Sequence, residues 1–170
     1  YNLTAIDTWP SMITLHLLDS LTVMPYIQGQ RIVDIGTGAG LPGIPLAIAL
    51  PDKQFTLVDS NGKKVRFIRH VVRLLKLKNV QVIHSRAEDL STSVQYDVII
   101  ARALSSLSTI TAITQHVLQA SGEYLLMKGI QPEEEIAQVR GHVVSHQVQV
   151  PGLNAERHII QIKDYKGAEK

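Results

Sequence analysis

A mostly parallel, seven-stranded α/β sheet with helices on both faces and a C-terminal antiparallel hairpin is the fold class predicted for this chain of 170 residues. Three observations predict it. Short apolar runs alternate with longer amphipathic stretches through five strands, which implies parallel strands joined by right-handed crossovers. One strand passes directly into a helix through a glycine-rich turn, Gly36-Thr-Gly38-Ala-Gly40-Leu-Pro-Gly43. The chain then ends on two alternating strands separated only by a turn, which breaks the alternation.

Composition sets the outer limits. The length suits a single domain over 1–170, with a helical lead-in over 1–29 and a substantial core. An apolar content of 45% and a charged content of 19% fit a globular chain and exclude a disordered one. There is no cysteine, so disulfides and thiolate metal sites are excluded. No apolar run has the roughly 18 residues that a membrane span needs, and no signal peptide is visible. The formal net charge is only +2. A nucleic-acid partner would therefore have to meet a local basic patch.

The elements follow in order. Trp9-Pro10 marks a turn, and Ser11 is suited to cap a helix reaching about Met24, with Ile13, Leu17, Leu18 and Leu21 at helical spacing. His16, Asp19 and Ser20 fall near its polar side and read as exposed helix groups. Pro25 ends the helix, Gly29 turns the chain, and Arg31–Ile35 is the first strand. Ile44–Leu50 is helical, Phe55–Asp59 is the second strand, and Ser60-Asn61-Gly62 opens a helix to about Leu77. Val80–His84 is the third strand, Val98–Ala101 the fourth, Leu107–Gln119 a helix, and Glu123–Met127 the fifth strand. Pro132 with Glu133–Glu135 starts a helix to about Arg140, because proline suits the first turn and acids suit the helix dipole. Val143–Val150 and Arg157–Lys163 flank the Pro151-Gly152 turn as the hairpin, and Lys166–Lys170 is expected to fray.

The chemistry gathers at the carboxyl ends of the strands. A strand turning through glycines into a helix brings backbone N–H groups and a positive helix end to that edge, a geometry that binds nucleotides. Glycine is required where a side chain would block the ligand or where φ must be positive. Asp34, two residues before the first glycine, stands where a carboxylate meets a cationic or amino group. Asp59 ends the second strand, where an acid accepts hydrogen bonds from ribose hydroxyls. Together they point to an adenosine-containing cofactor. NAD enzymes share the glycine pattern, but their sheet would keep alternating, and the final strand pair points instead to a methyltransferase-type Rossmann-like sheet.

Ser85-Arg86-Ala87-Glu88-Asp89 follows the third strand, where adenine would lie. Arg102 ends the fourth strand and Lys128 follows the fifth, both at the edge where open α/β sheets gather functional groups. For Arg102 the competing reading is an ion pair with a loop acid. Lys63, Lys64, Arg66, Arg69, Arg73, Lys76 and Lys78 make the second helix the most basic stretch. It reads either as a solvated face or as a phosphate-binding one. His142 and His146 have a His-x-x-x-His spacing without a zincin glutamate and read as surface histidines, so no metal is expected.

With these residues in hand, the chain resembles the bacterial small-subunit ribosomal RNA guanine-N7 methyltransferases, also called glucose-inhibited division protein B. Asp34-Ile-Gly36-Thr-Gly38-Ala-Gly40-Leu-Pro-Gly43 carries the resemblance, with Tyr1-Asn-Leu-Thr4, His16-Leu-Leu-Asp19-Ser20 and Asp59-Ser-Asn-Gly62-Lys63-Lys-Val-Arg66-Phe67. Ser85-Arg86-Ala87-Glu88, Ala101-Arg102-Ala103, Leu126-Met-Lys128-Gly129 and Glu156-Arg157-His158 extend it along the chain. Family members usually carry a helical segment ahead of the Tyr-Asn-Leu-Thr motif, at which this chain begins.

The resemblance implies S-adenosyl-L-methionine as methyl donor and 16S rRNA, the small ribosomal subunit or an assembly intermediate as substrate. By position, Gly36, Gly38 and Leu41 belong to the cofactor loop, Asp59 binds ribose, Ala87 and Glu88 flank adenine, and Arg102 is a cofactor-site residue. Lys63, Lys64, Arg66 and Lys128 are the candidate substrate contacts. A cytoplasmic, monomeric enzyme that meets no membrane is the expectation. No residue is assigned as a general base, because guanine N7 offers a lone pair without a proton to remove.

Overall fold

The structure, a computed structural model, describes residues 12–102 and 104–165. The Tyr1-Asn-Leu-Thr4 motif, the Trp9-Pro10 turn, the Ser11 cap, Ala103 and the Lys166–Lys170 segment lie outside those residues.

Seven strands form one mixed sheet in the order β3-β2-β1-β4-β5-β7-β6. They are β1 (Arg31–Ile35), β2 (Gln54–Asp59), β3 (Val80–His84), β4 (Tyr96–Arg102), β5 (Leu118–Lys128), β6 (His142–Val148) and β7 (Arg157–Lys163). The first five strands are parallel. β7 runs antiparallel between β5 and β6. After β1 the chain moves to β2 on one side, and its second half begins at β4 on the other. The carboxyl end of β1 is thus a topological switch point, where open α/β sheets leave a crevice.

The helices are α1 (Asp19–Leu21), α2 (Gly43–Ala49), α3 (Gly62–Leu74), α4 (Leu107–Thr114) and α5 (Glu133–Ala137). Alternation of side chains across the strands divides the core in two. On one face Ile32, Leu57, Ile100 and Leu125 pack with Ile44 and Leu46 of α2 and Ile68 of α3. On the other, Val33, Ile35, Ile99 and Leu126 pack with Leu107 and Ile110 of α4. Because both faces are covered, the central strands are apolar almost throughout, as buried parallel strands require.

Several boundaries differ from the sequence reading. The lead-in is not one helix to Met24 but a π-helical stretch, Ile13–Leu18, that runs into α1, followed by a 3-10 turn, Met24–Tyr26. Asp19 and Ser20, expected on an exposed face, are buried. α3 stops at Leu74 rather than Leu77, because Lys76 adopts φ 52° and the Leu77 N–H returns to the Val72 carbonyl at 3.0 Å, a left-handed helix ending. α4 stops at Thr114 rather than Gln119, and β5 begins at Leu118 rather than Glu123. Pairing of Leu118 with Tyr96 recruits the extra residues, with a register shift before Val98; sheet partners override local propensity there. α5 stops at Ala137, short of Arg140.

Candidate functional site

The site is built on the β1–α2 turn. Asp34 is fully buried, and its Oδ2 accepts hydrogen bonds from Thr37 Oγ1 at 2.6 Å and from the Gly43 amide at 2.9 Å. Its carboxylate therefore organises the loop from beneath instead of meeting a ligand's amino group, which corrects the sequence reading. The amides of Gly40 and Leu41 both return to the Thr37 carbonyl at 2.9 Å, which closes the loop. Gly36 and Gly38 have φ values of 66° and 62°, in the region that non-glycine residues enter only with strain. A Cβ on Gly43 would lie 2.1 Å from Leu57 Cδ2. Glycine there lets α2 sit directly on β2.

Asp59, at the carboxyl end of β2, joins this loop to α3. Its Oδ2 accepts from the Gly38 amide at 2.9 Å, and its Oδ1 accepts from the Asn61 amide at 2.8 Å. Asn61 in turn caps α3 by accepting from the Lys63 amide at 2.9 Å, the expected role of an asparagine at that position. Lys64 Nζ stands 3.9 Å from Asp59 Oδ2. A carboxylate has about four lone-pair positions, so Asp59 retains acceptor capacity toward the cavity it lines.

That cavity, about 480 Å³, opens beside the glycine loop. Gly36 and Asp59 line it on one side, Ala87 and Glu88 on another, and Leu104 and Ile113 supply an apolar wall. The structure thus brings together Gly36, Asp59, Ala87 and Glu88 as cavity lining, with Gly38 joined to them through Asp59. Leu41 serves as a loop-closing residue instead. Asn61, Lys64 and Ser105 also line the cavity, and none of the three is among the cofactor-site residues expected from sequence. The Ser-Asn-Gly helix start carried a signal for Asn61; Ser105 had none.

Arg102 faces a second cavity of about 500 Å³, which it lines with Asp19, Lys128, Arg157 and His158. Its guanidinium donates to Asp19 Oδ2 at 3.2 Å and to the Leu15 carbonyl at 3.3 Å. Arg157 Nε donates to the other oxygen of Asp19 at 2.8 Å. Both of the bonds Arg102 makes come from one terminal nitrogen, so Nε and the other terminal nitrogen remain free among the described residues. Lys128 donates to Glu135 at 3.0 Å and to the Ser105 carbonyl at 2.9 Å. Glu135 also accepts from the Leu107 amide at 2.6 Å, at the start of α4. Lys128 is thereby tied into an α4–α5 brace. One hydrogen bond links the two linings: Lys128, which lines the second cavity, donates to the carbonyl of Ser105, which lines the first.

Lys63 and Arg66 are exposed on α3, while Lys64 turns toward Asp59. His142 and His146 both lie on β6, and His146 bonds Gln161 at 3.0 Å and lies against Tyr26. No group of three or more His, Asp or Glu side chains suited to a metal occurs among the described residues. No helix among them is long and apolar enough to cross a membrane.

Comparison with known proteins bears on the same residues. The family model described as rRNA small subunit methyltransferase G, GidB, matches residues 1–160. A protein named Ribosomal RNA small subunit methyltransferase G from Xanthomonas oryzae pv. oryzae is 52% identical over 166 residues, covering 96% of this chain and 78% of its own. One of the same name from Coxiella burnetii is 46% identical over 167 residues, covering 98% and 82%. Among solved structures, a SAM dependent methyltransferase from Aquifex aeolicus shares the fold at a TM-score of 0.66 and 21% identity, covering 91% of this chain and 93% of that one. The match to the family runs through the lead-in, the glycine loop and the strand ends that line both cavities, and this chain belongs to the rRNA small subunit methyltransferase G family.

Proposed function

We propose that this protein transfers a methyl group from S-adenosylmethionine to N7 of a guanine in 16S rRNA. The observation that carries the reading is the Asp59-anchored glycine loop beside a cavity at the switch point, in a chain of this family. The residues present fit the cofactor. A Cβ on Gly38 would meet nothing closer than the Gly36 carbonyl oxygen at 3.9 Å, so the loop is open on the side a ligand would approach. Asp59 suits ribose hydroxyls, and Ala87 is small enough to let adenine lie against Leu104 and Ile113, with Glu88 at the rim. Gly36, Gly38 and Leu41 form the loop, and the free donors of Arg102 suit the methionine carboxylate.

When bound, the cofactor supplies an electrophilic methyl group on a sulfonium. Guanine N7 carries a lone pair and no proton, so no residue of the chain has to act as a base. The protein's part is to exclude water and hold N7 about 3–3.5 Å from the carbon it attacks. Lys128 acts as a positioning residue through Glu135, and Lys63, Lys64 and Arg66 contribute positive charge toward RNA phosphates. We assign the work to one domain acting as a monomer, in the cytoplasm, on the RNA of the small subunit or its assembly intermediate.

The test is transfer of labelled methyl to unmodified small-subunit RNA and particles, with mapping of the modified atom. Label on a guanine N7 is expected; label confined to small molecules or protein overturns the reading. Calorimetry should show binding of S-adenosylmethionine and its demethylated product but not NAD. Binding of NAD alone would refute the cofactor assignment.

Arg102 has its own expected result. Arg102→Lys keeps the charge but loses the planar fork, and methyl transfer should fall substantially; Arg102→Ala should lower it further. Arg102→Lys keeps a cation beside Asp19 and should change stability little, whereas Arg102→Ala leaves Asp19 Oδ2 without the donor it has here and should cost about 1–3 kcal/mol, with Arg157 still on Oδ1. Loss of cofactor affinity would locate Arg102 on the methionine moiety, and loss of turnover alone on the guanine. Near-normal values for both would leave Arg102 a structural ion pair.

A further inference from the structure

We infer that the exposed face of α3 is a track for single-stranded RNA flanking the target guanine, with cations for the phosphates and Phe67 as a stacking platform. The inference rests on the RNA-methyltransferase reading and extends it to the form of the RNA and the residues that hold it.

The geometry comes from helical spacing. Val65 and Ile68 are buried against the sheet, and Val72 continues that inner side. Lys63, Arg66, His70 and Arg73 recur at intervals of three and four residues and form one exposed row. Phe67 and Leu74, two turns apart, stand beside this row at 39% and 68% exposure. Among the described residues none of Lys63, Arg66 and Arg73 has an ion-pair partner, and no acid occurs anywhere between Asp59 and Glu88. Salt-bridged surface helices mix both signs of charge. This one presents a single sign, interleaved with exposed apolar side chains.

Position gives the row a direction. Asn61 and Lys64, at the start of α3, line the cofactor cavity, and the helix leads away from it for about 20 Å at 1.5 Å per residue. Beyond it lies an open groove against the edge strand β3, lined by Arg69, Arg73, Lys76 and Lys78 over Val80 and Val82. A strand whose guanine enters the site can therefore lay its neighbouring phosphates along α3 and into this groove.

The chemistry of the target selects single-stranded RNA. N7 lies on the major-groove edge of guanine, and in an A-form helix that groove is too deep and narrow for protein to reach. The guanine must be unpaired when methylated, so its neighbours arrive as single strand. Unpaired bases have free faces, and an exposed phenyl ring between cations is the pairing of features that single-strand binding surfaces use. Charge complementarity thus selects a polyanion, and Phe67 selects its unpaired form.

The test is fluorescence anisotropy with a labelled single-stranded guanine-containing RNA and its duplex, across a salt series, with cofactor affinity measured in parallel. The expected result is tighter binding of the single strand. Phe67→Ala should weaken it at least about fivefold with an unchanged salt slope, and Phe67→Tyr should restore it. The double variant R66Q/R73Q should reduce the salt slope by about 1.4, at roughly 0.7 for each phosphate no longer neutralised. Cofactor affinity should remain normal in all of them. Duplex preference, a neutral Phe67→Ala, or an unchanged slope in R66Q/R73Q would overturn the inference. These outcomes are read from binding, so they are separable from failure of wild-type methyl transfer, which would count against the function.

Discussion

Gly38→Val should abolish binding of S-adenosylmethionine while leaving a folded protein. Gly38 has φ 62°, its amide is held by Asp59, and a side chain there would project into open space over the loop instead of into the core. An L residue in the left-handed region costs about 1–2 kcal/mol, and a β-branched one more, which a domain of ordinary stability of about 5–15 kcal/mol survives. Affinity should fall about a hundredfold or more, nearly 3 kcal/mol at 1.4 per tenfold, because the side chain occupies the ligand's approach. Calorimetry with a circular-dichroism melt separates the two effects. Gly38→Ala is the milder companion and should lose affinity in the same direction. Gly36 is a less clean position, since a Cβ there would lie 2.5 Å from Leu104 Cδ1. Retained affinity in Gly38→Val would remove the loop from the cofactor site.

Asp34 should make the protein less stable as pH rises from about 4 to 7. Burial pushes its carboxyl up from 3.8 to about 7, against the opposing influence of the Thr37 hydroxyl, the Gly43 amide and Arg102. Within that window the folded chain retains a proton that the unfolded chain releases, so stability present below the unfolded value is lost as pH rises. The slope is about 1.4 kcal/mol per pH unit inside the window and flattens above 7. Asp34→Asn retains an acceptor for Thr37 and Gly43 and cannot ionise. Its Nδ2 takes the place of Oδ1, which has no partner among the described residues. The wild type minus Asp34→Asn difference, from denaturant unfolding between pH 5 and 8, should fall with pH and leave the variant equal or more stable at pH 8. A difference independent of pH would mean that Asp34 is already ionised at pH 5. Asp34→Ala should be destabilising throughout, by about 1–3 kcal/mol for each buried donor left unmet.

The strand–loop–helix at Arg31–Ala49 was legible in the residues themselves because its determinants are local. Apolar strands buried on both faces read as continuous runs, and positive φ at Gly36 and Gly38 requires glycine in the chain itself. Asp59 was legible for the same reason, since a strand end followed by a helix start sets its place. The terminal hairpin could also be read, because a turn between two alternating runs leaves little choice of partner.

What only the tertiary structure decided involves contacts between residues distant in sequence. Asp19 looked like an exposed helix acid because its own helix shows only its neighbours; its partners are Arg102 and Arg157, the latter 138 positions away. The brace from Lys128 through Glu135 to the start of α4 joins three elements that no periodicity relates. Leu118 became strand because Tyr96 was there to pair with it. Asp34 shows the division within one residue. Its sequence position placed a carboxylate under the glycine turn, but only the packing of α2 on β2 turned that carboxylate inward. Burial there removes the water that would keep it ionised, and that is the source of its raised pKa.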